Sequence, residues 1–489
     1  MREQMNSAAW FIFPRACLCL FFTSLVQGAP VSLESFQQHI RNSHPGFRIQ
    51  VLDAQVAEKR RDAARGQEDW FITSNPYYRD EEPVSSSAFN PSELTTYGLD
   101  AALSRKIWKT GGELSMSLNY DYSDQITPLI EFPGAPAGQG FETSEPTFHR
   151  HRALITYLHP LLKNAGGLQD RLEYDMRDYV ARITSIQAVE NQEDLLLQLS
   201  SNFLQAVLLK EQRRIAVERE QLSREQLEAS RQQRAQNLVD EVDLLRAENN
   251  EQLAKQRVVI AESNYRSALA ELRVLAGYDE HFDPVCDVFA TNAIPDAKAL
   301  RVALEQDARL IRAIDLESQR LRWQGRALRD GVQAQLDLAL SGGLSSGDVT
   351  YGDSLSFDQP EYQVGLRFSV PWGNRTIKRE LEANELEVER NAKRREDLLR
   401  TLESGIQRIV LQMLELNKII QLNQTQLESS RKQTAEEQKS YEQGRSPLTF
   451  VIQSRDGEAQ AENRLVESAI QYQTLRLQLD AWVDALLPE

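Results

Sequence analysis

Cysteine is scarce in this sequence, which excludes a framework of disulfide bonds. Only three of the 489 residues are cysteine. Two of them, Cys17 and Cys19, lie in an N-terminal segment with the features of a signal peptide. Cys286 alone then remains for the mature chain, so an intrachain disulfide cannot form. A lone thiol in an exported protein is most simply a small buried side chain.

Long apolar runs are also lacking. The apolar stretch Ala16–Val26 has eleven residues, whereas a helix that spans a membrane needs about 20. Arg15 precedes this stretch and small residues near Gly28 follow it, so we expect residues 1–29 to be a signal peptide. No other segment has eighteen consecutive apolar residues. We therefore expect that any insertion into a membrane does not use helices.

An excess of positive charge and a catalytic motif are absent as well. The 56 Lys and Arg residues are outnumbered by 72 Asp and Glu residues, which gives a net charge of −16 and argues against a nucleic-acid partner. The six histidines form no metal-binding pair on a helix, although His149 and His151 could share one face of a strand. No phosphate-binding or dinucleotide fingerprint occurs. The sequence thus predicts no enzyme activity, no cofactor and no metal site.

What the chain does contain is an internal repeat with a fixed offset. Near its C-terminus, apolar or small residues recur at alternating intervals of four and three, and the same seam recurs 207 residues earlier. Three of the seven positions are identical in the two seams. The paired positions are Ala461 with Ala254, Leu465 with Val258, Ser468 with Ala261, Tyr472 with Tyr265, Leu475 with Ala268, Leu479 with Leu272 and Trp482 with Leu275. This register indicates a tandem duplication.

Each repeat has the pattern of a helix, strands and a long helical hairpin. We expect repeat one to span 30–283 and repeat two to span 295–487, with a linker at 284–294. Repeat one carries roughly fifty extra residues before its long helix, and we assign much of this excess to the Pro- and Gly-rich loop Ser123–His149.

The two helical hairpins have the same predicted length. They cover 167–277, with a tip near 237–243, and 374–487, with a tip near 444–450. From its start to its tip each hairpin spans 70 residues, which is ~105 Å as a helix. Gly444 and Pro447 interrupt the second helix, because glycine and proline are the residues that a helix interior tolerates least. We interpret this break as the turn at which the helix pair reverses.

Strictly alternating segments between the helices predict β-strands. In repeat one the strands fall within about 96–162 and include Leu114–Tyr122 and a less regular segment, Ala153–Leu161. In repeat two they fall at about 332–343 and 361–371. Tyr97–Ile107 is a fifth candidate without a clear place in this scheme.

The alternation has two interpretations. Ordinary amphipathic strands would cover a soluble core, whereas strands of ~10 residues with one apolar face are typical of transmembrane barrels. An open sheet edge in lipid leaves backbone groups unsatisfied at several kcal/mol each. With two strands per repeat, one chain supplies about four strands, and the smallest barrels use eight. Several chains would then share one barrel: three would give about twelve strands and two about eight.

With these features together, the chain resembles the TolC-like family of outer-membrane efflux proteins. The segments that carry the resemblance are LITYLHPLLKNAGG, VGLRFSVPWGNRTIKRE, the duplicated halves and the two tips. The resemblance implies a mainly α fold with membrane β: a homotrimer in which a 12-stranded β-barrel continues into a long periplasmic α-helical barrel. It implies a passive exit duct in the outer membrane of a Gram-negative bacterium. Its partners would be a periplasmic adaptor protein, an inner-membrane pump and outer-membrane lipid.

In the family, the helix tips form the periplasmic mouth, where the duct narrows and meets the adaptor. The resemblance implies this role for the twelve tip residues Asn237, Leu238, Val239, Asp240, Asp243, Arg246, Gly444, Arg445, Ser446, Pro447, Phe450 and Gln453. Some members have an acidic ring at the second tip, where this chain has Phe450 and Gln453 instead. The constriction is then either a ring of Phe450 side chains or the Asp243–Arg246 pair. Alternatively, Phe450 is a core residue between hairpins and Asp243–Arg246 is a local ion pair.

Two other functions are compatible with parts of the pattern. A periplasmic coiled-coil adaptor or scaffold would need a compact β domain and would lack two near-equal repeats with strands of their own. A secreted enzyme with a helical spacer would need a catalytic site, and the sequence offers none. The exit duct is the function that accounts for both repeats.

Overall fold

The structure is a computed structural model, and it describes most of the chain. The described residues are 29–84, 91–126, 147–236, 239–278, 282–290 and 293–487, together with 130, 131, 134, 136, 140 and 141. The expected signal peptide, apart from residue 29, therefore lies outside the described residues. So do the tip residues Asn237 and Leu238 and most of the Pro- and Gly-rich loop.

The described residues form eight α-helices. They are α1 Leu33–Ser43, α2 Pro45–Ala63, α3 Leu172–Ala235, α4 Glu241–Ala276, α5 Ala297–Asp307, α6 Arg309–Val332, α7 Arg375–Glu442 and α8 Leu448–Trp482. Short 3₁₀ segments lie at Ala64–Glu68 and Asp353–Leu355. No helix in this part of the chain is both long and apolar enough to cross a membrane.

Ten strands accompany these helices in the described residues. They are β1 Ala29–Ser32, β2 Phe71–Glu81, β3 Glu93–Ile107, β4 Gly112–Ile126, β5 Ile130–Glu131, β6 Gly140–Phe141, β7 Phe148–Pro160, β8 Phe282–Val285, β9 Gln335–Asp348 and β10 Gln359–Ser369. β1 and β8 pair in parallel, and β5 pairs with β6.

The chain divides into two compact units. The first, here called the tip unit, comprises Met1–Ile40, Asn202–Phe289 and Ser430–Val466. The second, here called the sheet unit, comprises Arg41–Ser201, Ala290–Ser429 and Glu467–Glu489.

In the tip unit, the helix ends repeat with the interval seen in the sequence. α3 ends at Ala235 and α7 at Glu442, while α4 begins at Glu241 and α8 at Leu448. Each pair of ends is 207 residues apart, which is the offset of the two apolar seams. The identical positions of those seams, Ala254 with Ala461 and Tyr265 in α4, are buried. The seams are therefore the faces on which the helices pack.

In the sheet unit, six of the described strands form one antiparallel sheet, here called the large sheet. Its order is β10-β9-β7-β4-β3-β2. The expectation of about four strands per chain is therefore wrong. Tyr97–Ile107, which had no clear place, belongs to β3, and β2 was not expected at all.

The two extra strands also correct the account of the excess residues in repeat one. The first half of the chain supplies β2, β3, β4 and β7 to the large sheet, whereas the second half supplies β9 and β10. Much of the excess before α3 is therefore strand, and β4 continues to Ile126 inside the segment expected to be loop.

Candidate functional site

The two helix tips share one small hydrophobic core in the tip unit. Its buried members come from all four helices: Leu227 of α3, Ala247 of α4, Tyr441 of α7, and Leu448 and Val451 of α8. Leu244 and Ile452 pack against this cluster. The Tyr441 hydroxyl donates a hydrogen bond to Gln233 Oε1 at 3.0 Å. Because helices of both hairpins contribute to this core, the described ends of the two hairpins are held together.

Gly444 ends α7 in the left-handed conformation that the break in the sequence requires. Its φ angle is +65°. The Gly444 N–H donates to the Tyr441 carbonyl at 2.9 Å, and the Arg445 N–H donates to the Ser440 carbonyl at 2.9 Å. These two bonds are the Schellman arrangement, which satisfies the last carbonyls of a helix. The sequence prediction of a reversal at Gly444 is thereby explained in atomic terms.

The described part of the first tip is held by a backbone hydrogen bond and by contacts of two arginine side chains. Asp240 is the N-cap residue of α4, and its carbonyl accepts from the Asp243 N–H at 3.1 Å. Arg234 donates to the Val239 carbonyl at 3.2 Å. Arg246 Nη1 lies 3.0 Å from Asp243 Oδ1, so these two residues do form an ion pair within one chain.

In the second tip, the predicted site residues lie mostly at the surface. Arg445, Pro447 and Gln453 are exposed, and the Ser446 hydroxyl lies 3.1 Å from Glu437 Oε2. Phe450 is 50% exposed, although Leu448 and Val451 on either side of it fill the tip core. In the single chain Phe450 is therefore not a core residue of its own hairpin.

Apolar side chains of both tips are exposed on the tip unit. Val242 and Leu245 of α4 and Phe450 of α8 each leave about half of their surface open to solvent. Where exposed apolar side chains form a patch, that patch marks a contact surface, so these three residues are candidates for such a contact.

A network of three arginines, of which Arg219 is buried, also stabilises the tip unit, and the sequence patterns did not indicate it. Arg219 Nε of α3 lies 3.0 Å from Asp456 Oδ1 of α8, and Arg257 of α4 lies 3.1 Å from the same oxygen. Arg455 donates to the Leu222 carbonyl at 3.0 Å. Burial lowers the pKa of Arg455, and the charge of Arg219 lowers it further. These contacts tie α3, α4 and α8 together.

The large sheet of the other unit has one apolar face that is open. Paired residues on neighbouring strands lie on the same face, so the register identifies that face directly. One row runs Ile72, Leu103, Met116, Ile155, Gly342, Tyr362. Its exposed large apolar residues include Ile72, Tyr78, Tyr97, Leu99, Met116, Leu118, Ile155, Leu340, Leu344, Tyr362, Val364, Leu366 and Phe368. Tyr362 is 82% exposed and Val364 75%. We call this surface the apolar face.

The opposite surface, here called the polar face, carries a hydrogen-bonded set of side chains. Asn119 donates to Asp100 Oδ1 at 2.6 Å, and the Tyr77 hydroxyl donates to Asp121. Arg152 Nε donates to Glu361 Oε2 at 2.9 Å. Polar groups on one side and exposed apolar groups on the other are the arrangement of a sheet that separates water from an apolar medium.

His149 and His151 share one face of β7, as their spacing allowed. That face is the apolar one, where both rings lie beside Tyr120. The Tyr120 hydroxyl lies 3.0 Å from His149 Nδ1, and the ring centroids of Tyr120 and His151 are 4.8 Å apart. These histidines therefore take part in aromatic packing.

The sheet unit also contains a buried cluster of charges around Arg309. Carboxylate oxygens of Glu190, Glu193 and Asp484 lie within 4.8 Å of one another. The cluster already has a cation of its own, because Arg309 Nε donates to Glu190 at 2.7 Å and Arg309 is also bonded to Glu193. Burial raises the pKa of Glu193 to about 7, although Arg309 opposes this shift.

Comparison by sequence adds nothing to this picture, since the chain matches no protein-family model and no curated protein.

Comparison of structures gives clear likenesses. One is CusC, described for its folding and transmembrane channel formation, with a TM-score of 0.66, 11% identity, and coverage of 94% of this chain and 95% of that one. Another is the outer membrane protein VceC of Vibrio cholerae, with a TM-score of 0.64, 10% identity, and coverage of 93% and 95%. The MtrE outer membrane channel of Neisseria gonorrhoeae has a TM-score of 0.65, 12% identity, and coverage of 93% and 89%. Identities this low establish the fold alone, and the chain therefore has the TolC-like channel fold that its sequence resembles.

Proposed function

We propose that this chain is a passive exit duct in the outer membrane of a Gram-negative bacterium. The observation that carries the proposal is the open apolar face of the large sheet, which runs across all six of its described strands. In water such a surface would promote aggregation, whereas in a bilayer it is the surface that contacts lipid. The polar face then lines a water-filled lumen.

The duct is a homotrimer whose large sheets join into one transmembrane barrel. One sheet alone has two edges, and edges in hydrocarbon leave backbone groups unsatisfied. The long helices continue the conduit through the periplasm. There the duct meets a periplasmic adaptor protein and an inner-membrane pump, which supplies the energy and selects the cargo. The cargo is small molecules or polypeptides.

The tip surface is the periplasmic mouth of this duct. Its members are the twelve residues that the family resemblance implies, and all of them except Asn237 and Leu238 lie in the part of the chain that the structure describes. The exposed Val242, Leu245 and Phe450 side chains support contact with the adaptor or with neighbouring copies at this place.

Neither the adaptor nor the enzyme interpretation is supported as well. An adaptor offers no reason for the large sheet to present an apolar face. The charged cluster around Arg309 has its carboxylates paired with that arginine, which gives it the character of a structural contact.

The proposal is tested by locating the mature protein and measuring its native mass. We expect it in the outer-membrane fraction, with the mass of three chains after extraction in mild detergent. A water-soluble monomer or dimer in the periplasm would remove the barrel. As a functional readout, a strain without the gene should accumulate a fluorescent pump substrate, and the wild-type gene should restore its export.

A further inference from the structure

The hairpin formed by β2 and β3 belongs to the wall of the large sheet. Its outer surface continues the apolar face, since Ile72 is 80% exposed and Leu99 and Tyr97 are exposed beside it. Its inner surface continues the polar face, where Asp100 of β3 accepts from Asn119 of β4. A hairpin that lay outside the barrel wall would have no reason to continue both the apolar face and the polar face of the large sheet.

Side-chain contacts fix β2 to the two strands beyond it. The Tyr77 ring crosses Gly98 of β3 and its hydroxyl donates to Asp121 of β4. A Cβ atom at Gly98 would lie 2.7 Å from the Tyr77 hydroxyl oxygen, so only glycine leaves room for the ring. An aromatic residue that covers a glycine on the neighbouring strand is a device that pins strand register.

The strands of the large sheet are staggered as in a closed barrel. Asp100 is the middle residue of β3, and the row through it passes Asn119, Arg152 and Ser345 to reach Gln359. Gln359 is the first residue of β10, five residues before its middle residue. Five residues over four steps between strands is about 1.25 residues per strand, which corresponds to a tilt of about 40°. Barrel strands tilt by about 35–45°.

The outer edges of β2 and β10 pair with no strand in the described part of the chain. Because the sheet is antiparallel with an even number of strands, β2 and β10 run in opposite directions. Both have 11 residues. Each contains one proline, Pro76 or Pro360, so each lacks one ladder donor and keeps the others. The two edge strands have the same length, run in opposite directions and have their apolar residues on the same face of the sheet. They can therefore pair with one another between neighbouring copies.

We propose that the β2 edge of one copy pairs antiparallel with the β10 edge of the next copy. This inference rests on the homotrimer of the proposed function. Three copies of a six-stranded sheet then close a barrel of eighteen strands, in place of the twelve expected from the sequence. Barrels of 16–18 strands enclose an aqueous channel, so the extra hairpin widens the outer-membrane part of the duct.

The stagger also predicts the register of this contact. One further step of about one residue places the middle of β2 within about one residue of the middle of β10, and the register must also keep the two faces in phase. Thr73 then lies opposite Arg367 of the neighbouring copy, or opposite Gly365 or Ser369 if the register shifts by two. All four residues belong to the polar face.

Disulfide cross-linking in isolated outer membranes tests the contact. In a Cys286→Ser background, Thr73→Cys is combined with Gly365→Cys, Arg367→Cys or Ser369→Cys, since a disulfide needs Cβ atoms about 4 Å apart. The control replaces Thr73→Cys by Ser117→Cys, which lies in the same row on β4. We expect oxidation to join three copies in one of the Thr73→Cys combinations and in none with Ser117→Cys.

Three results would overturn the proposal. A disulfide between Ser117→Cys and β10 of the next copy would mean that β4 is the edge strand at the contact. The β2–β3 hairpin would then lie outside a barrel of twelve strands. If no pair is cross-linked in an assembly whose native mass is three chains, the β2 and β10 edges are not in contact. The homotrimer itself would not be contradicted by that result. A covalent product that stops at two copies, with a native mass of two chains, would refute the homotrimer as well.

Discussion

Tyr77 and Tyr78 are adjacent in β2 and lie on opposite faces of the large sheet. Tyr77 pairs with Gly98 on the polar face and donates a hydrogen bond to Asp121. Tyr78 pairs with Tyr97 on the apolar face and is 69% exposed. Two tyrosines at consecutive positions thus lie in different surroundings, one hydrogen-bonded on the polar face and one exposed on the apolar face. The same substitution at each position therefore compares the two faces.

We expect Tyr77→Phe to destabilise the assembled duct and Tyr78→Phe to leave it almost unchanged. A hydrogen bond to a charged acceptor contributes about 1.5–3 kcal/mol, and the partial exposure of this one lowers that to about 1–2 kcal/mol. The temperature at which the detergent-extracted oligomer dissociates on a gel measures the effect. Equal loss in both variants would mean that Tyr77 has no special role in holding β2.

The two faces of β10 offer a test of which surface meets lipid. Val364→Arg places a charge on the apolar face, where arginine near the middle of a bilayer costs about 2–4 kcal/mol. Gln363→Arg places the same charge on the polar face of the same strand. Heat-modifiable oligomer in the outer-membrane fraction should be lost in the first variant and retained in the second. If both assemble equally, the apolar face does not lie in hydrocarbon.

Much of the helical structure could be predicted from the sequence, because helix ends and helix faces depend on residues that are close together in the chain. A helix end needs a particular residue at one position, and Gly444 supplies it with a φ of +65°. The offset of 207 residues reappears in the helix bounds because the same seam of side chains packs in both halves.

The strand count was not readable, and β2 shows why. Its apolar-face residues are Ile72, Ser74, Pro76 and Tyr78, so the alternation is broken by a serine and a proline. Proline is compatible with a strand at a sheet edge, where one ladder donor is dispensable. Only pairing with β3, which is not encoded in any local pattern, identifies this segment as a strand. The tip core around Tyr441 was missed for the same reason, since its members are distant in the sequence.

At the second tip, two glycines in one unit predict opposite effects of the same substitution. Gly444→Ala forces an alanine into the left-handed region and should destabilise the turn by about 1–2 kcal/mol. Gly457 lies within α8, and a Cβ atom added there would meet no other group within 4 Å. Gly457→Ala should therefore stabilise that helix by about 0.5–1 kcal/mol. The measurement is the hydrogen-exchange protection of the α8 amides in each variant, compared with that in the wild-type protein. Protection that changes in the same direction in both variants would contradict this account of the turn.

Phe450 is the residue for testing the tip as the mouth of the duct. It is half exposed in one chain, so Phe450→Asp should fold and assemble. If the side chain contacts the adaptor or narrows the pore, export of a fluorescent substrate should fall severalfold in this variant. Phe450→Leu keeps an apolar group there and should retain most export. Normal drug resistance with Phe450→Asp would argue against the tip as the gate.

The charged cluster in the sheet unit predicts that stability falls as the pH rises. Burial raises the pKa of Glu193 from its ordinary 4.5 to about 7. Between these values the folded state binds more protons than the unfolded state, so the free energy of unfolding decreases with pH. The contribution is complete below pH 4.5 and is lost as the pH passes 7. We expect a loss on the order of 1–2 kcal/mol over this window.

Glu193→Gln should remove this dependence, because the amide stays neutral and can still accept from the Leu487 N–H, which lies 3.1 Å from Glu193 Oε1. Arg309 keeps Glu190 and Asp484 as partners. The control is Asp194→Asn, which neutralises the exposed carboxylate next in sequence and should leave the pH slope unchanged. The test compares the melting temperatures of wild type and both variants at pH 4.5, 6 and 8. If the slope of the Glu193→Gln variant equals that of wild type, the proton taken up on folding resides on another group.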